Sequence, residues 1–525
     1  MKTLVTASWV IAHDGRSHVE IPDGAVLIDG DTIVDVGERA ELDRHQADER
    51  IDLGDAVVTP GLIDLDALTD IDHLILDSWA SPELAAGFTW STEYFAAPRA
   101  VFDAAQRRTV REYALAQLAL HGITSYMPIA SEVHSDWAET YEDLVAMAEV
   151  STRLGLRAFL GPSFRSGVNV IGADGKRTVR FDEEAGRRGL ADALRFLDHT
   201  AQLADPLVTG VLLPCRIETL TPDLLRDAAR AADQRGALVR LHALQGMSER
   251  DYIQHTYGRT PLQLIADSGL LSDRLIVPHG VVLDVHPEVL GSDTGDVAVL
   301  ADAGVSIAHC PLTNARYAHN LHTFAGYRAQ GVNLCLGTDS FPPDLIRGID
   351  VGTQVAKLQA GDLGQGHLTG YFDALWTGGA TALHRQDLGR LAAGATADLA
   401  AFALDDFRMG VTEDPLRTLV LNGTARDAVL TMVAGKVVMR NGSIPGVDLT
   451  ALRRAGQQLF DVMRAAYPER DCRRRPVNEL FPPVFPLSSQ GGGRWCVGCS
   501  VSRGVDGSSR GIDGGAERGI ARQSV

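Results

Sequence analysis

TPGLIDLDALTDIDHLI, residues 59–75, changes character part-way along. An apolar run closes on a Pro-Gly turn, a strand-like segment follows, and Asp64, Asp66, Asp70, Asp72 and His73 then come in quick succession. Such a loop is either a solvated acidic cap or one side of a cation site whose other ligands lie elsewhere in the chain. Choosing between these requires the fold.

GLIDLDA (61–67) is the first of eight short β-prone runs. The others are GITSYMPI (122–129), RAFLGP (157–162), LVTGVLLP (207–214), ALVRLH (237–242), RLIVPH (274–279), VSIAHC (305–310) and NLCLGTD (333–339). Helical stretches such as 105–120 and 222–235 separate them. Alternation of this kind predicts an α/β chain closed into a (β/α)8 TIM-like barrel, with a parallel core and helices outside. A doubly wound open sheet is the competing architecture. In a barrel, the residues that end the strands share one face, and chemistry is to be sought there.

Outside the barrel the pattern differs. AVLIDGDTIVDVG (25–37) sets alternating runs around Asp29-Gly30, a pair that readily takes the positive φ of a hairpin turn. AVLTMVAGKVVMRNG (428–442) repeats the arrangement, with ADLAAFAL (397–404) as a further strand. We therefore expect residues 1–58 and 390–445 to form one composite β-sandwich and residues 59–389 the barrel. In 449–467, Leu452, Leu459, Met463 and Ala466 recur at helical spacing, so an outer helix is expected within 446–470. Beyond it the chain turns rich in Arg, Pro, Gly and Ser, too poor in apolar groups to offset ordering entropy, and 471–525 reads as a disordered tail. Its lone CxxC, Cys496 and Cys499, has no second pair and carries no functional weight.

A formal net charge of −19 on 525 residues repels phosphate backbones and anionic membranes, so neither nucleic acid nor membrane is an expected partner. No apolar stretch reaches the roughly 18 to 20 residues that cross a bilayer. The first residues, MKTLVTASWVIAHDG, alternate as a strand does and lack a small-residue cleavage pattern. Cys215, Cys310 and Cys335 lie in apolar runs and read as reduced buried thiols, with the cytoplasm as the default compartment.

His242, His279, His309 and Asp339 end, or nearly end, four of the last five runs. One such histidine is commonly structural; four convergent groups fit a divalent cation, because imidazole nitrogen and carboxylate oxygen suit zinc and its neighbours. A cation bound with an open position makes water a nucleophile near neutral pH.

TPGLID, LVRLHALQ, LIVPHG, GVSIAHCPLTNAR, GVNLCLGTDS and GRLAAGATADLAAF, in this order, resemble the amidohydrolase superfamily. They are most similar to its triazine hydrolases and aminohydrolases of guanine and related heterocycles, over about residues 3–445. The resemblance implies one divalent ion per chain, zinc first and iron, cobalt or manganese as alternatives, a small-molecule substrate and a homo-oligomer. It implies His242 and Asp339 as metal ligands, His279 as the group that polarises substrate or assists water, and His309 as a residue beside the substrate. Asn314 reads as a turn residue.

Two departures alter the expectation. Where the family has His-x-His, this chain has Asp66 and Leu68; Asp66 can ligate, Leu68 cannot, and His73, Asp70 and Asp72 are candidates to replace the lost donors. Where deaminases carry Glu, this chain has Gln245, which orients substrate but cannot exchange a proton. The leading expectation is accordingly hydrolysis of a C–N or C–S bond in a urea, carbamate, thiocarbamate or amide, similar to phenylurea and thiocarbamate (molinate) hydrolases. Asp66, His242 and Asp339 hold the ion, with His279 or His73 as the candidate to complete the shell; His279, Asp339 and Gln245 are catalytic; His309, Trp79 and Phe341 contact substrate, with Phe95 a further apolar candidate. Deamination or dechlorination of a nitrogen heterocycle is the first alternative, and a non-catalytic amidohydrolase-fold subunit the second.

Overall fold

A computed structural model describes residues 1–71, 74–77, 79, 81, 89–97, 99–129, 139–203, 205–289 and 294–486. The eight runs become barrel strands. Leu62–Leu68, Ile123–Ile129, Arg157–Leu160 and Val208–Gly210 form one parallel half, and Val239–Arg240, Leu275–Pro278, Ser306–His309 and Asn333–Leu336 the other. A parallel bridge from Leu212 to Val239 joins the halves, and the Asp339 amide donates to the Asp66 carbonyl at 2.7 Å to close the ring. The fourth run is split: Leu213–Pro214 pairs separately with Ser163–Phe164.

Asp64 explains why the first strand registers against the eighth. It is fully buried and accepts bonds from the Thr338 amide (3.0 Å) and hydroxyl (2.6 Å). Burial pushes its carboxyl up to about 7 despite these donors. This aspartate of the opening stretch is thus a closure device.

Strands from both ends of the chain make one eight-stranded sheet. Ala56–Pro60 lies between Lys2–His13 and Leu399–Ala403, which leads on to the hairpin Ala428–Val433 and Lys436–Arg440. Lys2–His13 pairs along its whole length with His18–Asp29. Val5, Val26, Val58, Leu399 and Met432 form the core of this sheet. A buried bidentate pair ties it to the barrel: the Arg157 guanidinium, on the third barrel strand, donates to both oxygens of Asp398 at 2.9 and 3.0 Å.

The outer helix runs from Leu449 to Arg470, four residues beyond the apolar stripe. Order continues past 471, where composition indicates a tail. Asp471 pairs with Arg475 at 2.8 Å, Arg470 stacks over Trp90, and Val477–Leu480 forms a turn of helix that buries Leu480 and Phe481 against Tyr467. A few apolar anchors suffice here, which mean composition does not register. The expected disorder of 487–525, with Cys496 and Cys499, lies outside the described residues. Among the described residues no helix is long and apolar enough to cross a membrane.

Truncation after Pro482 should leave the melting temperature of the protein unchanged. Truncation after Tyr467 should lower it, because it removes Leu480 and Phe481, each worth about 1.5–3 kcal/mol when buried. Differential scanning calorimetry distinguishes the two, and equal melting temperatures would show that 468–482 adds nothing.

Candidate metal centre

Asp66, His242, His279 and Asp339 each offer one ligand atom, and the four atoms lie within 4.8 Å of one another. They come from the first, fifth, sixth and eighth strand ends, so barrel closure assembles them. The backbone is bent sharply to do so: His279 and Asp339 have φ of 71° and 56°, a left-handed conformation uncommon for residues with a side chain. Bonds from the His279 amide to the Ala308 carbonyl (2.9 Å) and from the Asp339 amide to the Asp66 carbonyl hold these bends. Strain of this kind persists only where surrounding structure over-determines it.

Asp66 is fully buried, with Oδ1 3.0 Å from Arg240 Nη1 and Oδ2 3.4 Å from His242 Nε2. Burial opposes its charge, yet His242 and Arg240 pull the carboxyl down to about 2. Asp339 goes the other way: burial and the charge of Asp66 raise it well above the usual carboxylate range. Two carboxylates this close do not both ionise readily unless a further cation joins them.

Burial pushes His279 down to about 3, so its ring is neutral at physiological pH. Its Nδ1 lies 2.9 Å from the Asn314 side-chain oxygen, an acceptor, which assigns the proton to Nδ1 and the lone pair to Nε2. His279 Nε2 and Asp66 Oδ1 are buried without a hydrogen-bond partner among the described residues. The unpartnered Nε2 of a neutral His279 and a nitrogen–oxygen donor set fit one divalent ion of the zinc type.

The structure brings together Asp66, His242 and Asp339, and of the two candidates to complete the shell it places His279 with them as a fourth donor. Asn314 is not a turn residue. It lies buried in the short helix Pro311–Arg316 and orients His279. Pro311 at the first helical position is the signal that pointed there. Gln245 accepts a bond from Arg216, while Glu249 accepts from the Leu244 and Gln245 amides at 2.7 and 3.2 Å and so fixes the loop behind it. Asp70 belongs elsewhere: its carboxylate accepts from the Ile71 amide at 2.7 Å and feels the charge of Arg111. His73 and Asp72 lie outside the described residues.

Among the substrate-contact expectations, Phe341 is buried two residues after Asp339 and packs with Leu68 and Ala114. Trp79 is 85% exposed and forms no buried wall. Phe95 packs with Trp90, Val168 and Val170 in a cluster of its own. His309 is buried against Phe324 and Tyr371, and burial pushes it down to about 3. Arg240 was missed, although strand periodicity places it on the same inward face as His242.

Protein expressed with zinc should carry about one ion per chain, and His242→Ala should lose it. Asn314→Leu should weaken zinc binding about ten- to a hundredfold, the usual effect of removing a group that orients a ligating imidazole. Elemental analysis and a zinc-chelator competition read both, and unchanged binding in either variant would contradict the site. A second prediction concerns acid. A histidine held neutral in the fold takes up a proton on unfolding, so its contribution to stability is full above 6.5 and is lost as pH falls toward 3. Between pH 6 and 4, His309→Leu should flatten the fall in metal-free unfolding free energy by up to about 1.4 kcal/mol per pH unit. An unaltered slope would show that His309 is not held neutral.

The family model described as Amidohydrolase family matches residues 57–438. The chain is 28% identical to 5-methylthioadenosine/S-adenosylhomocysteine deaminase of Halobacterium salinarum, over 87% of this chain and 97% of that one. It is 27% identical to 8-oxoguanine deaminase of Pseudomonas aeruginosa, over 82% and 92%. Among solved structures, an adenosine deaminase from Xanthomonas campestris with bound zinc superposes with a TM-score of 0.73 at 21% identity, covering 88% of this chain and 98% of that one. Atrazine chlorohydrolase from Arthrobacter aurescens complexed with zinc gives 0.72 at 22% identity, covering 87% and 100%. With the barrel, the strand-end donors and a match across most of its length, the chain belongs to the amidohydrolase family.

Proposed function

We propose that this metal-dependent hydrolase acts on a nitrogen heterocycle, displacing ammonia or another small leaving group from a trigonal ring carbon. The observation that carries the reading is the four-donor cluster at the mouth of the barrel, on a chain whose similar curated relatives are deaminases. These relatives reverse the order expected from Gln245 and the altered first metal motif, which put ureas, carbamates and thiocarbamates first. That reading now stands second, favoured by the missing acid and the altered first metal motif. The intact cluster speaks against a non-catalytic subunit, since a dead site has no need of convergent ionisable groups.

Asp66, His242, His279 and Asp339 would hold a divalent ion, which would supply the Lewis acidity that brings the pKa of water toward about 7. Asp339 is the most open of the four, at 18% side-chain exposure, and lies 3.9 Å from His279. Its raised pKa suits it to take the proton of the attacking water and pass it to the departing amine. Neutral His279 cannot donate a proton from Nε2, so it acts by holding and orienting. Gln245 turns its oxygen to Arg216, because a guanidinium only donates; the amide N–H2 is therefore left for substrate. A ring nitrogen accepting that bond is positioned, with the proton arriving through Asp339.

The test is a screen of the metal-loaded full-length protein against 8-oxoguanine, 5′-methylthioadenosine, aminotriazines and chlorotriazines, with phenylureas and thiocarbamates alongside. Ammonia or chloride release from a heterocycle is the expected result, reduced about 10²–10⁴-fold or more in Asp339→Asn. Amine release confined to ureas or thiocarbamates would overturn the proposal in favour of the second reading.

A further inference from the structure

Arg240 has no part in the chemistry above, yet it lies against the centre. It ends the fifth-strand pair Val239–Arg240, is 3% exposed, and faces inward two residues before His242. Its Nη1 is 3.0 Å from Asp66 Oδ1, while its Nε and Nη1 make no hydrogen bond among the described residues. The contact is thus one of charge against charge. The other oxygen of Asp66 turns to His242 Nε2 at 3.4 Å.

A carboxylate has two oxygens and can join two cations. Here a cation built into the chain already faces one of them. Leu68, where the family resemblance implies a second histidine, packs against Ala114 and Phe341 and offers no donor. The centre therefore has one ligand fewer than its relatives' motif and one fixed positive charge beside its buried carboxylate. A guanidinium is always charged at accessible pH and is costly to bury, so its retention here calls for an electrostatic reason.

We propose that Arg240 is a positioning residue that stands in for a second metal ion. Its guanidinium covers the Oδ1 side of Asp66, so the carboxylate offers only Oδ2 to the ion shared with His242, His279 and Asp339. Its charge repels any further dication, and the centre closes at one. The inference rests on the reading of the cluster as a metal site, and the experiment separates the two.

Full-length protein stripped of metal is titrated with Co2+, with elemental analysis after gel filtration and visible absorption recorded at each step. Wild type should bind one Co2+ per chain, and Arg240→Lys, which keeps the charge, should do the same. Arg240→Met should either take a second ion or bind the first at least about tenfold more tightly, because a repelling charge is gone. Its visible band should shift as Asp66 brings both oxygens to the ion. Arg240→Gln is expected to behave likewise and serves if the methionine variant does not fold. Neutral variants with wild-type stoichiometry, affinity and band would overturn the proposal alone. Two Co2+ in wild type would also overturn it, whereas none would bring down the metal reading and the proposal together.

Discussion

Everything at the mouth of this barrel depends on keeping Asp66 ionised with no access to water. A carboxylate in that position would ordinarily take a proton; here His242 on one oxygen and Arg240 on the other hold it charged. The consequence falls on Asp339, whose own ionisation the neighbouring negative charge disfavours. One carboxylate is thus fixed as an anion and the other made responsive to protons or a cation. That division of labour follows from placement alone, since the two residues are chemically identical.

Placement in turn depends on barrel closure. Asp64 and Asp66 lie two apart on one strand and so face the same interior, where Asp64 registers the eighth strand through Thr338 and Asp66 joins the donor cluster. The same backbone contact that closes the ring, from the Asp339 amide to the Asp66 carbonyl, brings the two carboxylates together. Fold and site therefore share their most constrained residues. The opening stretch that looks like an acidic loop resolves into a closure aspartate, an aspartate of the donor cluster and, in Asp70, a carboxylate bonded to the neighbouring Ile71 amide.

Much of this was legible beforehand, and for a physical reason. Strands alternate with period two, so the donors His242, His279 and Asp339 at the ends of apolar runs could be placed on one face once the barrel was inferred. What sequence could not show were pairings set by long-range geometry. Arg240 reads as an ordinary strand residue until Asp66 is brought beside it. Asn314 reads as a turn residue until Pro311 starts a helix that directs its amide to His279. The tail was misjudged between 471 and 482 because two buried apolar side chains, not mean composition, decide whether a short segment docks. The order of substrate classes was likewise drawn from two local departures, Gln245 and the altered first metal motif at Asp66 and Leu68, and relatives across the whole chain outweigh them.

X-ray absorption at the zinc edge of the loaded protein tests the central claim most directly. Cys310 has its sulfur 3.7 Å from Asp66 Oδ2, near enough for a rearranged centre to recruit it. The account predicts nitrogen and oxygen scatterers alone at about 2.0–2.2 Å, with outer-shell features of two imidazoles. A sulfur shell at about 2.3 Å, or a first shell without imidazole, would contradict it.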